Sequence, residues 1–187
     1  MPPKVKITKE DIVKTSLELV RKFGSEAINA RGVAEALNCS TQPVFSNFET
    51  MEKLREATVL AAYEIYLGFL KNEAATGKYP KYKAFGMAYI RFAMEEKELF
   101  KLLFMRDRSG EDISPSPDFE ESAEIIMKLN GVTRETAALM HLEMWTCVHG
   151  IGVMVATSFL SFEWETISMI LSDIYHGIRE RHCMGER

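Results

Sequence analysis

Residues 28–54 read INARGVAEALNCSTQPVFSNFETMEKL, and the stretch 39–48 at their centre decides the fold. It holds Pro43 in its middle and two phenylalanines, Phe45 and Phe48, three residues apart. A proline has no N–H for a sheet ladder, which argues against a central strand. A short helix is permitted. With Ser40 as N-cap and a start at about Thr41, Pro43 falls at the third helical position, where an N–H has no helical partner anyway. Gln42, the residue before proline, is a mild objection, because that position resists helical angles. Val44 and Phe48 are then four apart on one face, with Phe45 beside them.

Working outward, Asn29 caps a helix over ARGVAEALN, with Val33, Ala34 and Leu37 on one face and Asn38 as its stop. Upstream, TKEDIVKTSLELVRKFG opens on a Thr8/Asp11 capping box and closes on Gly24. Ile12, Leu19, Val20 and Phe23 are expected on its apolar face, flanked by Val13 and Leu17. Three short helices, the last two separated by about three residues, spell a helix-turn-helix. Downstream, Thr50 caps the long segment MEKLREATVLAAYEIYLGFLKNEAA, which Thr76 and Gly77 end. Pro80 starts KYKAFGMAYIRFAME, and KELFKLLFM follows after a short break. RDRSGEDISPSPD, residues 106–118, is the clearest loop. FEESAEIIMKLN stops at Gly131, Thr133 caps RETAALMHLEMWTCVHGIGVMVATSFL, and EWETISMILSDIYHGIRERH closes the chain. The pattern predicts an all-α protein of about nine helices. The division is a helix-turn-helix domain over residues 1–54 and a larger helical domain over 55–187.

The chain's 187 residues, 47% of them hydrophobic, suffice for one large domain or two small ones. No run of about 20 apolar residues occurs, and MPPKVKITKED lacks the apolar core of a signal peptide. The expectation is a cytoplasmic protein with no membrane partner. Cys39, Cys147 and Cys183 are scattered without CxxC or Cys/His spacing, so free thiols and no metal are expected. No nucleophile elbow, P-loop, HExxH or GxGxxG occurs. The acidic runs at Glu95, Glu96 and Glu98 and at Glu163 and Glu165 read as solvated faces. An enzyme, and any cofactor, are therefore not expected. The net charge of −4 argues mildly against nucleic-acid binding, but it hides an asymmetry. Residues 1–48 carry seven Lys/Arg (Lys4, Lys6, Lys9, Lys14, Arg21, Lys22, Arg31) against five acids, a balance of +2 that leaves −6 for the remainder.

In a helix-turn-helix the second helix of the pair enters the major groove. Ser40, Thr41, Gln42, Ser46 and Asn47 are small or polar side chains able to meet base edges there. Residues 8–54 resemble the DNA-binding domain of the tetracycline-repressor-like (TetR) family. The run INARGVAEALNCSTQPVFSNFETMEKL matches its capped Ala/Val-rich helix, turn, and aromatic–polar–Phe sequence before a long helix. The resemblance implies DNA contacts from Asn29, Arg31, Ser40, Thr41, Gln42, Pro43, Phe45, Ser46, Asn47 and Lys53. Three positions depart from it. Phe45 stands where the family usually has Tyr, Asn47 where it often has His, and Met51 where it usually has Lys. The losses at 45 and 51 should weaken backbone contact and shift weight to Lys4, Lys6 and Lys9.

MWTCVHGIGVMVATSF and ILSDIYHGI resemble a C-terminal subtype of the same family, marked by Trp and then His-Gly on the penultimate helix. That resemblance implies a homodimer on a palindromic double-stranded operator, formed through the last two helices. Val148, Ile151 and Val155 on one, with Ile167, Ile170, Leu171, Ile174, Tyr175 and Ile178 on the other, would supply the face. The other reading of these positions is that they face their own core. A small-molecule effector is also implied. Phe69, Tyr89, Phe92, Phe104, Met140, Met144 and Trp145, with Met94, Phe100, Met105 and Met127, form an aromatic and Met-rich set. They fit an apolar or aromatic ligand or plain core. His141, His149, Tyr89 and Glu143 are the candidate polar anchors, His149 being the one most suited to a structural role. The function expected is a ligand-responsive repressor. The alternative is a helical adaptor that has lost operator binding.

Overall fold

The computed structural model describes residues 7–107, 109 and 117–184. Among them are nine α-helices, one 3-10 turn and no strand. The helices are α1 (Lys9–Phe23), α2 (Ala30–Ala36), α3 (Gln42–Asn47), α4 (Met51–Ala75) and α5 (Lys81–Glu95). They continue with α6 (Lys97–Phe104), α7 (Pro117–Asn130), α8 (Arg134–Ala156) and α9 (Trp164–Met184). The all-α architecture with nine helices is the one the periodicity predicts. Lys4 and Lys6 and residues 108 and 110–116 of the expected loop lie outside the described residues.

The chain forms two compact units. The first takes in the chain to Leu67 together with Glu96–Arg106, and the second takes in Gly68–Glu95 and the chain from Asp107.

In the first unit, α1 starts on the reciprocal box expected. The Thr8 hydroxyl accepts from the Asp11 N–H, and the Asp11 carboxylate accepts from the Thr8 N–H. Gly24 ends it at φ 81°, a backbone angle that side-chain-bearing residues rarely adopt. The buried face differs from the one expected. Ile12, Ser16, Leu17 and Val20 are buried, whereas Phe23 is 71% exposed. Ser16 can enter the core because its hydroxyl donates to the Ile12 carbonyl at 2.9 Å. Leu19 and Phe23 instead line an open groove of about 840 Å³ beside α2. α6 packs on α1, where Arg21 clasps Glu96 through two hydrogen bonds of 2.9 and 2.7 Å. This bidentate pair and Glu18 push the Arg21 guanidinium well above its usual range.

In the second unit, α5 is central and packs on α7, α8 and α9. Eight of its residues between Tyr82 and Ala93 are buried, Met87–Ile90 without a break. Gly86 makes the approach possible, because a Cβ there would lie 3.2 Å from Leu171 and 3.4 Å from Val148. α8 is long and apolar enough to cross a membrane by length and composition, yet it packs against α5, α7 and α9. It ends at Ala156, four residues before the sequence pattern suggests. Ser158 takes φ 57°, and the Phe159 N–H bonds back to the Met154 carbonyl at 2.9 Å. That closure is a Schellman motif with serine in glycine's usual place.

Candidate nucleic-acid interface

α2 and α3 of the first unit are joined by five residues, 37–41. Asn38 turns the chain at φ 51°, which asparagine tolerates better than most residues. The start of α3 differs from the one expected. The cap is Thr41, not Ser40, and its side chain makes no capping bond. Pro43 stands at the second helical position, so only the third-position N–H, that of Val44, remains for a side-chain cap. The Val44 and Phe45 N–H groups donate to the Thr41 carbonyl instead, at 3.1 and 3.2 Å.

Val44 and Phe48 are buried and pin α3 to the unit, and the Lys9 ammonium lies 5.0 Å from the Phe48 ring centre. The opposite face is open: Ser40, Gln42, Phe45 and Ser46 are exposed, and Thr41, Pro43 and Asn47 are half-buried. Phe45 leaves 52% of its surface uncovered. Two polar side chains are bound locally. The Ser46 hydroxyl donates to the Gln42 carbonyl at 2.9 Å, and the Asn47 amide donates to the Pro43 carbonyl at 2.8 Å. The Gln42 side chain makes no hydrogen bond to any described residue.

The flanking positions divide in the same way. Asn29 is occupied as the α2 cap, accepting from the Gly32 N–H at 2.8 Å and donating to the Ala27 carbonyl at 3.2 Å. Arg31 is exposed and has no ion-pair partner among the described residues. Lys53 is exposed and pairs with Glu56 at 2.8 Å, a surface contact of the weak, solvent-screened kind. Met51 is half-buried.

The candidate effector residues fall into separate clusters. In the second unit Tyr89, Phe92, Met140 and Met144 are buried. The Tyr89 hydroxyl meets Nδ1 of His149 at 2.8 Å, and Trp145 stacks on that imidazole at 4.8 Å and 12°. Phe69 sets its ring edge-on to Phe92 at 5.3 Å. His141 meets the Tyr82 hydroxyl at 2.9 Å and the Phe119 ring at 4.5 Å. Burial pushes the His141 imidazole down to about 4, opposed by Asp118, and pushes His149 down as well. Burial raises both tyrosine hydroxyls, so at neutral pH both pairs are uncharged. Met127 is half-buried and Met94 exposed. Glu143 faces His182 of α9 at 3.0 Å. Phe104, Phe100 and Met105 belong to the first unit, where Phe104 packs on Tyr66 and Phe100.

Sequence reading did not single out Tyr82. Its signal is a spacing: Tyr82 and Tyr89 stand seven apart on α5, and His141 and His149 eight apart on α8. It also passed over Arg91, which pairs with buried Glu73 at 3.0 Å and lies 4.2 Å over the Trp164 ring.

Of the residues expected between subunits, Val148, Ile151, Val155, Ile167 and Leu171 pack inside their own unit. Tyr175 is also engaged there, against the Tyr82 ring and accepting from the Asn130 amide at 3.0 Å. Ile170, Ile174 and Ile178 are half-buried. Leu139 and Leu142 on α8, Met169 on α9, and Phe159 and Leu160 between them are exposed.

Comparison with protein-family models and with curated protein sequences finds no match.

Proposed function

We propose that the protein is a TetR-like transcriptional regulator: a cytoplasmic homodimer that binds a palindromic operator through α3, represses, and releases DNA on binding a small apolar effector. The observation that carries this reading is the two-sided α3. Its Val44 and Phe48 are buried, while Ser40, Gln42, Phe45 and Ser46 stand open to solvent after a short turn from α2. Exposed Arg31 and Lys53 supply backbone contacts on either side.

A dimer suits the reading because two recognition helices about 34–36 Å apart match successive major grooves. Exposed Leu139, Leu142 and Met169 support it. The effector is apolar because the clusters around Tyr89, Phe92 and Met144 are apolar and their imidazoles neutral. Its signal runs through α4, which begins at Met51 in the first unit and ends at Ala75 in the second. The effector must bind the released state better than the DNA-bound one, or it shifts nothing.

The test is a gel shift of the full chain on its own upstream DNA at low and moderate salt, beside Arg31→Ala. The expected result is binding that weakens as salt rises, with Arg31→Ala weaker on every sequence. No binding at low salt by a folded protein would overturn the reading in favour of a helical adaptor.

A further inference from the structure

The face of α3 carries more than a capacity to bind DNA. Gln42, Phe45 and Ser46 stand at positions i, i+3 and i+4, so they share one exposed face. Each offers the groove a defined chemistry. The Gln42 amide has no partner among the described residues, so it presents a donor and an acceptor together. That pair matches adenine N7 and N6, the standard target of a bidentate amide.

Ser46 is more constrained. Its hydroxyl proton is committed to the Gln42 carbonyl, so outward it presents only lone pairs. In the major groove the donors for those lone pairs are adenine N6 and cytosine N4. Asn47, the other amide on this helix, is half-buried and tied to the Pro43 carbonyl. Phe45 has no polar atom, and the one apolar group displayed in the major groove is the thymine methyl. Half its ring is open to meet it.

Residues 39–50 also contain no Lys or Arg, the side chains that most often read guanine O6 and N7. The nearest, Lys53, lies in α4 and is paired with Glu56. Along the helix axis Gln42 and Phe45 are about 4.5 Å apart, against about 3.4 Å between base pairs. They therefore address the same or neighbouring steps.

Resting on the DNA-binding reading above, we infer that α3 selects half-sites with an A·T core, in which Gln42 reads an adenine and Phe45 contacts the methyl of a nearby thymine. Ser46 accepts from the amino group of an adjoining base, adenine N6 or cytosine N4, and no guanine is read from this helix.

The experiment selects bound duplexes from a random-sequence pool with the full chain at low salt and sequences them. The best duplex is then remade with 7-deazaadenine for the core adenine, or uracil for the core thymine. Affinities are measured for wild type, Gln42→Ala and Phe45→Ala. The expected outcome is paired half-sites with A·T at the core. Removing N7 should weaken wild type roughly fivefold and leave Gln42→Ala unchanged. Removing the methyl should weaken wild type about fourfold and leave Phe45→Ala unchanged. Both positions are exposed, so thermal melting of the variants should match wild type. Selection of G·C at the core, or base changes felt equally by wild type and variants, would overturn the inference while leaving DNA binding standing. Retention of no duplex at low salt would overturn both.

Discussion

Burial holds the His141 imidazole at about 4, against 6.5 for an unperturbed histidine, and the Tyr82 hydroxyl meets its Nδ1 at 2.9 Å. Between those two values the unfolded chain binds a proton that the folded chain does not. This contribution to stability is therefore complete above about pH 6.5 and is lost as pH falls toward 4. One proton over that window amounts to about 3 kcal/mol. Thermal melts of wild type between pH 7 and 4 should show the loss. Tyr82→Phe with His141→Leu removes the site and its partner together, and should flatten the profile over the same range. A double variant as steep as wild type would refute the assignment. The sequence could not disclose this pair, because a tyrosine on an apolar helix reads as core. The partner lies 59 residues away in the chain and is known only once α5 and α8 are packed. The amphipathic logic of α3, by contrast, was readable from Val44 and Phe48 alone.

At the scale of the element, caps written in local chemistry were legible and ends set by backbone geometry were not. Thr8, Asn29 and Thr133 cap α1, α2 and α8 through the side-chain bonds their types favour. α8 ends early because Ser158 takes a left-handed angle that periodicity does not reveal. α3 starts at Gln42 with Thr41 as a cap that makes no side-chain bond, which residue types alone do not announce. Close packing was likewise hidden until the helices met at Gly86. A side chain at that position must push against Leu171 and Val148. Gly86→Val should therefore cost about 1–3 kcal/mol, read as a lowered unfolding midpoint in denaturant. An unchanged midpoint would mean that α8 and α9 give way freely.

For the whole molecule, helix number and class were legible because 3.6-residue periodicity persists from Lys9 onward. The grouping of the helices was not. α6 joins the first unit after some thirty residues of the second, through a bidentate pair between Arg21 and Glu96 that no local pattern announces. The same pairing engages one of the seven basic residues of the N-terminal stretch. Assembly is the property to test at this scale. Leu142 and Met169 are exposed, so Leu142→Glu with Met169→Glu should leave the unfolding midpoint unchanged. Sedimentation should show wild type as a dimer and the double variant as a monomer. A wild type that stays monomeric at tens of micromolar would remove the dimer from the proposed mechanism.

The protein has two tryptophans, and each lies against a different polar group: Trp145 flat on the His149 ring, Trp164 beneath the Arg91 guanidinium. An imidazolium quenches indole emission more strongly than a neutral imidazole does. The chain thus contains its own optical sensor. Trp164→Phe would leave Trp145 as the sole indole, and its intensity would report the protonation of His149 without any attached dye.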